Sequence, residues 1–247
     1  MYSTHLRYLF DIRWQKIRHC IIIGLLLLMA AEVHAQNAVY RRKHLEYYDD
    51  KPIHYGFLFA APFTRFHHVH NNAFLRQDST SRITAPTTTG FRVGFVVNAY
   101  LTDHWDIRST PTIALYDRVM EYEYARGGKR RELREATWLE IPLLFKYKSQ
   151  RRHNSRMYMI GGATLGLETN VRQRIPQGNE RLNTRGTDLT IDYGFGFEQF
   201  LAYTKISPEI RFSHGIVNLY NTTDPLSNVG GIRRLTSHTV SLYIMFE

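Results

Sequence analysis

The chain ends with the stretch TVSLYIMF at residues 239–246, which is followed only by Glu247. One face of the strand that this stretch predicts is apolar and consists of Val240, Leu242, Ile244 and Phe246. A soluble domain rarely ends on such a strand. An outer-membrane barrel does, because its last strand closes against the first and an aromatic side chain near its end reaches the membrane interface. The stretch therefore predicts a membrane β-barrel.

Alternation of apolar and polar residues continues through the chain from residue 54. In the clearest segment Phe91, Val93 and Phe95 face one way, and Arg92 faces the other. No helical period persists. We distinguish eight segments, approximately 54–66, 89–101, 105–124, 136–147, 156–169, 187–200, 204–218 and 236–246. We therefore predict an all-β fold, an eight-stranded antiparallel transmembrane β-barrel.

The links between these segments alternate in length. The shorter links lie at 102–104, 148–155 and 201–203. The longer links lie at 67–88, 125–135, 170–186 and 219–235. Bacterial barrels have short periplasmic turns and long extracellular loops, so we expect an outer-membrane protein with both termini in the periplasm. A soluble sandwich or lipocalin-like barrel would also alternate, but it gives no reason for the unequal links.

The first 35 residues have the pattern of a secretory signal peptide. Basic residues precede an apolar run at 21–31, and small residues precede a cleavage point after Ala35. The run is too short to cross a bilayer as a helix, although an uncleaved anchor is the alternative. Residues 36–53 are polar and rich in tyrosine without a clear period. We interpret them as a periplasmic N-terminal tether that precedes the barrel at 54–247.

The polar face of the predicted strands carries charges of both signs. The main ones are Arg92, Arg108, Glu140, Glu198, Glu209 and Arg211. An eight-stranded barrel is only wide enough to be filled by its own side chains, and an unpaired buried charge costs several kcal/mol. We therefore predict a structural network of salt bridges that closes the lumen. A gated path for protons or solutes is the alternative, and no sequence pattern supports it.

The formal net charge of the chain is +10, which for an exported protein indicates acidic partners. We expect contacts with outer-membrane lipids and lipopolysaccharide, whose phosphates are anionic. Arg130 and Arg131 in a long loop, and Arg151 and Arg152 in a short turn, are possible docking positions for another protein. No nucleic-acid-binding pattern occurs, and we expect no small-molecule substrate.

Enzymatic patterns are not found in the sequence. It has no serine-hydrolase elbow, P-loop or zinc-protease helix, so we expect no catalytic residue, cofactor or metal. The first long loop begins with three histidines, His67, His68 and His70, but no cysteine or nearby carboxylate completes a metal site. A lipid-modifying enzyme is the weakest alternative. Its candidate residues would be His214, His238, Ser213 and Ser237.

Residues 138–147, WLEIPLLFKY, resemble the LEIPLL strand of small outer-membrane barrels of Bacteroidota. A strand containing Gly161 and Gly162 follows, and then the stretch GFGFE at 194–198. In this order, and over 54–247 as a whole, the chain resembles the PorT family of the type IX secretion system.

This resemblance implies a non-enzymatic role in protein transport, namely the export or assembly of cargo such as secreted proteases. The lumen is too narrow for a folded cargo, so the resemblance implies that the barrel acts by contact with other secretion-system proteins. The residues alone equally favour a stand-alone structural or adhesin-type outer-membrane barrel.

Overall fold

The computed structural model describes residues 43–70, 80–124, 128–169, 185–220 and 232–247. The predicted signal peptide and residues 36–42 of the predicted tether lie outside these ranges. The chain divides into two compact units, Met1–Lys43 and His44–Glu247, and the second contains all of the strands. Among the described residues, no helix is long and apolar enough to cross a membrane.

Ten strands form a single antiparallel sheet that closes on itself, because β1 pairs with both β10 and β3. The strands are β1 Ile53–His70, β2 Thr80–Thr84, β3 Thr88–Tyr100, β4 Trp105–Ser109, β5 Thr112–Tyr124, β6 Lys129–Lys148, β7 Ser155–Glu168, β8 Thr187–Phe200, β9 Lys205–Gly215 and β10 Ile232–Phe246.

The closed ring has eight strand positions, because β4 and β5 share one of them. Both strands pair with β3 on one side and with β6 on the other. The break between them contains Pro111, which has no N–H to donate to the ladder. Strand β2 pairs with β5 on the edge opposite β6, beyond the start of β3, so it continues the position of β3 toward the loop end. The predicted eight-stranded antiparallel barrel is therefore confirmed.

The short links are confirmed, and they all lie at one end of the barrel, which we call the turn end. They connect β3 to β4, β6 to β7, and β8 to β9. The start of β1 and the end of β10 lie at the same end, because each strand runs antiparallel to its neighbours. We call the opposite end the loop end.

The predicted loop at 125–135 is wrong, because β6 already begins at Lys129 and pairs with β5 from there. Residues 129–135 read KRRELRE, so no alternation of apolar and polar side chains marks them as a strand. Backbone pairing does not require that alternation where a strand extends beyond the apolar band. For the same reason β1 runs to His70, and β2 occupies part of the loop predicted at 67–88.

The outside of the barrel carries a continuous band of apolar side chains. Phe95 is 69% exposed, and Leu143 is 58% exposed, whereas their inward neighbours Val96 and Leu144 are fully buried. Every strand of the ring except β2 and β9 contributes exposed large apolar side chains in this way. The outward Ile206, Ile210 and Phe212 of β9 are partly exposed. A soluble barrel keeps its apolar face inside, so this inverted distribution is that of a barrel surrounded by lipid.

The closing strand β10 has the predicted faces. Its exposed apolar side chains are Val240, Leu242 and Ile244. Phe246 follows them in the outward parity and lies opposite Phe57 of β1, with the two rings stacked at a centroid distance of 5.1 Å. The aromatic pair therefore marks the point at which the last strand closes against the first.

Candidate functional site

Glu198 is the centre of a charged cluster in the lumen near the turn end. Its side chain is fully buried. Its carboxylate accepts hydrogen bonds from Lys146 and Arg156, and from Lys205 Nζ at 2.9 Å. Arg108 lies 3.6 Å from the same carboxylate. Four cations converge on one buried anion, so further carboxylates are needed to neutralise them.

Two of these further carboxylates are Asp106 on β4 and Glu209 on β9. Asp106 accepts a hydrogen bond from Lys148 Nζ at 2.7 Å. Glu209 lies 3.2 Å from Arg108 and accepts a hydrogen bond from Arg211 at 2.6 Å. Strand parity alone turns these side chains inward, and the register of the sheet then determines which cation meets which anion.

A second charged cluster lies closer to the loop end. Arg92 contacts Glu140 through two nitrogens, Nε at 2.9 Å and an Nη at 3.0 Å. The hydroxyl of Tyr116 donates to the same carboxylate at 3.0 Å, and Arg118 donates to that hydroxyl at 3.2 Å. The Nη donates a charge-assisted hydrogen bond to the carboxylate, which is among the stronger kinds of hydrogen bond.

The structure thus places all six residues of the predicted lumen network inside the ring and in contact with opposite charges. They form Arg92–Glu140, Arg108–Glu198, Arg108–Glu209 and Arg211–Glu209. Sequence reasoning missed further buried cations, namely Arg118, Lys148, Arg156 and Lys205. The missed residues lie near strand ends or in the part of β5 beyond the apolar band, and continuing the alternation to the strand ends would have found them.

Gly196 makes room for one member of this network. A Cβ atom at Gly196 would lie 2.3 Å from the hydroxyl oxygen of Tyr158 on the adjacent strand. That hydroxyl donates to Glu209 at 2.9 Å. A side chain at this position would therefore displace a buried tyrosine that satisfies a buried carboxylate.

Residues His44–Pro52 differ from the predicted tether, because they pack against the turn end of the barrel. The ring of Tyr48 stacks on His54 at a centroid distance of 3.9 Å. Its hydroxyl donates to Glu247 Oε2 at 2.7 Å. Asp49 accepts a hydrogen bond from Arg156 at 2.8 Å. We call Tyr48, Asp49 and Glu247 the terminal latch.

The terminal latch completes the charge balance of the lumen. Among the described strand residues, eight lysine or arginine side chains and six acidic side chains are buried. The basic ones are Arg92, Arg108, Arg118, Lys146, Lys148, Arg156, Lys205 and Arg211, and the acidic ones are Asp106, Glu140, Asp188, Asp192, Glu198 and Glu209. Glu247 and Asp49 supply the two remaining negative charges. The segment could not be recognised from the sequence because its contacts follow no period.

Glu247 turns inward because Phe246, the residue before it, faces outward. Its side chain contacts Lys205 Nζ at 2.9 Å and Arg108 at 3.6 Å. Burial raises the pKa of Glu247, but the charges of Lys205 and Arg108 outweigh burial and hold that pKa at about 2. Burial and the charge of Glu247 raise the pKa of Tyr48 far above its usual range, so the hydroxyl keeps its proton and donates it to the carboxylate.

The depressed pKa of Glu247 predicts a stability change in acid. Its carboxylate has a usual pKa of 4.5 and a folded-state pKa of about 2. Its stabilising contribution should therefore be complete above pH 4.5 and disappear as the pH falls toward 2. Urea unfolding of the wild type and of Glu247→Gln should differ at pH 7, and this difference should shrink over that interval. A difference that stays constant down to pH 2 would contradict the assignment.

The hydroxyl of Tyr48 is expected to stabilise the closed turn end. Tyr48→Phe removes the hydrogen bond to Glu247 and keeps the ring stacked on His54. Hydrogen bonds to charged groups contribute about 1.5–3 kcal/mol, so the free energy of unfolding in urea should fall by about that amount. The matched control is Tyr47→Phe, because Tyr47 is 74% exposed. Equal stabilities of the two variants would refute the prediction.

The four predicted docking residues lie at opposite ends of the barrel. Arg131 is exposed at the loop end, 4.0 Å from Glu121, and Arg130 is on the same strand with its side chain outside the described parts. Arg152 is exposed at the turn end. Arg151 is engaged by its own chain, because it donates to the carbonyl of Leu45 at 3.1 Å. One surface cannot contain all four residues.

The candidate residues for a lipid-modifying enzyme are separated by the sheet. His214 and His238 lie on the outside of the barrel, with their Nδ1 atoms 2.6 Å apart. Ser213 and Ser237 have the opposite parity and face the lumen, where Ser237 donates to Asp188 at 2.5 Å. A serine and a histidine on opposite faces of a strand cannot act together.

The three histidines at the end of β1 do not share one face either. His68 and His70 are in contact at a centroid distance of 4.9 Å, whereas His67 contacts His238 on the outside. In the described part of the chain, no group of three or more His, Cys, Asp or Glu side chains is arranged to hold a metal ion.

A small cavity of about 20 Å³ lies in the lumen beside Arg92, Arg118 and Asp188, and a more open pocket of about 240 Å³ lies at the turn end beside Asp49, Lys148 and Arg156. The smaller volume accommodates roughly one water molecule. Toward the loop end an apolar cluster packs across the interior, and it consists of Phe66, Ile83, Met120, Tyr122, Leu219, Ile232 and Leu235. The described residues therefore form a packed interior between the terminal latch and this cluster.

Comparison with known proteins identifies a family. Residues 34–221 match the family described as Outer membrane protein beta-barrel domain. No curated protein sequence matches the chain. Among solved structures, it is similar to the outer membrane protein OprG from Pseudomonas aeruginosa, with 13% identity, 77% of this chain and 93% of that chain covered, and a TM-score of 0.43. It is also similar to Neisserial surface protein A, with 9% identity, coverages of 79% and 98%, and a TM-score of 0.43.

Proposed function

The chain belongs to the outer membrane protein beta-barrel domain family, and we propose a function for it within that family. We propose that the protein is a non-enzymatic component or assembly factor of the type IX protein secretion system. It would act in the outer membrane by binding other proteins of that system, and it would contribute to the export of cargo such as secreted proteases.

The observation that carries this proposal is the packed interior. Charges of opposite sign pair along the lumen, and an apolar cluster packs across it near the loop end. The terminal latch occupies the turn end. This packing favours a function carried by the surfaces of the barrel over the passage of a solute or an unfolded chain through its interior.

The assignment to type IX secretion is supported by the resemblance of β6, β7 and β8 to the PorT family. We propose that the turn end faces the periplasm and the loop end faces the cell exterior, as in other bacterial barrels. Arg152 at the turn end and Arg131 at the loop end are then candidates for docking on opposite sides of the membrane. Lipids and lipopolysaccharide would surround the apolar band.

The test is deletion of the gene in its native host, followed by measurement of cargo in the periplasm and in the culture medium. We expect the cargo to accumulate in the periplasm and to return to the medium when the wild type is restored. Normal export in the deletion strain would overturn the secretion role. Complementation with Arg152→Gln and with Arg131→Gln would show which end of the barrel makes the necessary contact.

A stand-alone structural barrel is the second candidate. It is favoured by the internal pairing of the lumen charges, which needs no partner to complete it. Co-purification from detergent-solubilised outer membranes separates the two functions. A secretion component should bring other secretion-system proteins with it, whereas a stand-alone barrel should be recovered alone, and its deletion should alter envelope integrity with normal export.

A further inference from the structure

Four basic side chains form a patch on the outside of the barrel, where β1, β9 and β10 leave the apolar band toward the loop end. We call Arg65, His67, His214 and His238 the basic rim patch. They have the same strand parity as the exposed apolar residues of the band. All four therefore face away from the lumen, toward the lipid and its head groups.

The sheet register brings these residues together. His238 lies directly opposite Arg65 on β1 and directly opposite His214 on β9. The ring centroids of His214 and His238 are 4.9 Å apart, and those of His67 and His238 are 5.2 Å apart. The hydroxyl of Tyr193 lies 2.9 Å from His214 Nε2 and fixes the orientation of that ring. The patch is thus arranged before any ligand arrives.

Its position along the barrel axis coincides with the edge of the apolar band. On β1 the exposed residue before Arg65 in the outward parity is Phe63, and on β10 the exposed residue after His238 is Val240. Lipid head groups begin where the hydrocarbon region ends. A lipid with its acyl chains against Phe63 and Val240 would place its phosphate beside the basic rim patch.

The patch has no anion of its own in the described part of the chain. The charged groups that act on His238 are His214, His67 and Arg65, which are all basic. The two Nδ1 atoms at 2.6 Å can share only one proton between them. This contrasts with the lumen, where each cluster of cations is balanced by carboxylates. The patch therefore has spare hydrogen-bond donors for an external acceptor.

We propose that the basic rim patch binds a phosphate group of an outer-membrane lipid. A guanidinium pairs with phosphate in a two-point geometry, and His67 and the Nε2 atom of His238 add donors beside it. His214 holds the His238 ring in place through its Nδ1 atom. The site rests on the proposed lipid contacts of this protein and, for the choice of leaflet, on the proposed orientation, which assigns it to the outer leaflet and to a lipid A phosphate. The apolar residues beside it favour a lipid over free phosphate, because they contact acyl chains.

The experiment uses the full-length protein, solubilised in detergent, and lipid A as the probe, with bound lipid counted by native mass spectrometry. We expect the wild type to retain lipid A and Arg65→Gln/His214→Gln/His238→Gln to bind it at least about tenfold more weakly, the factor that one lost charge-assisted contact can produce. The matched control is Lys43→Gln/Lys51→Gln, two exposed cations before β1, which should bind as the wild type does. Each variant is first checked for the heat-dependent gel mobility of a folded barrel.

Three results would overturn the proposal. The first is equal binding by the triple variant and the wild type. The second is equal binding of lipid A from which both phosphates have been removed. The third is displacement of lipid A by inorganic phosphate at concentrations comparable to that of the lipid, which would indicate a site for the free anion. Since the assay requires neither a membrane orientation nor a secretion partner, its failure is distinguishable from failure of the secretion role.

Discussion

Glu198→Gln is expected to destabilise the barrel by about 3–5 kcal/mol, the range found when one partner of a buried ion pair is removed. The substitution keeps the shape of the side chain and removes the charge that Lys146, Lys205 and Arg156 share. These cations would remain buried, and the nearest other carboxylates already have partners. The free energy of unfolding in urea, measured at neutral pH, gives the loss directly.

The matched control for this substitution is Glu121→Gln. Glu121 is exposed at the loop end and lies 4.0 Å from Arg131, and exposed pairs of this kind contribute at most about 1 kcal/mol. The double variant Glu198→Gln/Lys146→Met should recover part of the stability, because it removes the cation that loses its nearest carboxylate. A Glu198→Gln barrel as stable as the Glu121→Gln barrel would show that the charged network contributes nothing to stability.

Leu143→Arg is expected to destabilise the membrane-inserted barrel by about 2–4 kcal/mol, which is the cost of an arginine on the lipid face at the bilayer midplane. Leu143 is the middle member of the outward apolar series on β6, which runs from Leu139 to Tyr147. Its side chain touches lipid and not the lumen, so the substitution leaves the charged network unchanged. Unfolding by urea in lipid vesicles is the appropriate measurement.

The control for Leu143→Arg is the same substitution at the edge of the apolar band. Thr187→Arg introduces the same side chain on the outside of β8, beyond Leu189 and at the edge of the apolar band. An arginine near the interface costs about 0–1 kcal/mol. If both substitutions cost the same in vesicles, the apolar band would not be the membrane-spanning surface. If both are neutral in detergent micelles, the bilayer and not the fold is responsible for the difference.

The alternation of residues allowed much of this fold to be predicted, because lipid outside and packed charge inside impose opposite chemistry on neighbouring positions. Arg92 and Glu140 were assigned to the lumen from parity alone, and the structure places them 2.9 Å apart. Their pairing could not be read from the sequence. It depends on the register of β3 and β6 against the strand between them, which the alternation of faces does not determine.

The terminal latch and the extended hairpin of β5 and β6 were missed for different reasons. Residues 129–135 are charged on both faces, since a strand above the membrane needs no apolar side. Tyr48 and Asp49 lie in no strand, and each makes its own specific contact with the barrel end. Contacts made by single residues leave no repeating pattern, so only the three-dimensional arrangement reveals them.

Tyr48 precedes β1 and Glu247 follows β10, so the contact between them also helps to fix the register between these two strands. If β10 slipped against β1 by two residues, the same side chains would still face the lipid. Contact with the membrane would therefore not distinguish this register from the native one. Such a slip would move Glu247 by about 7 Å relative to β1 and away from Tyr48. In the native register, Glu247 after β10 accepts a hydrogen bond from Tyr48 before β1 and pairs with Lys205. The residues that flank the first and last strands thereby favour the register in which the barrel closes.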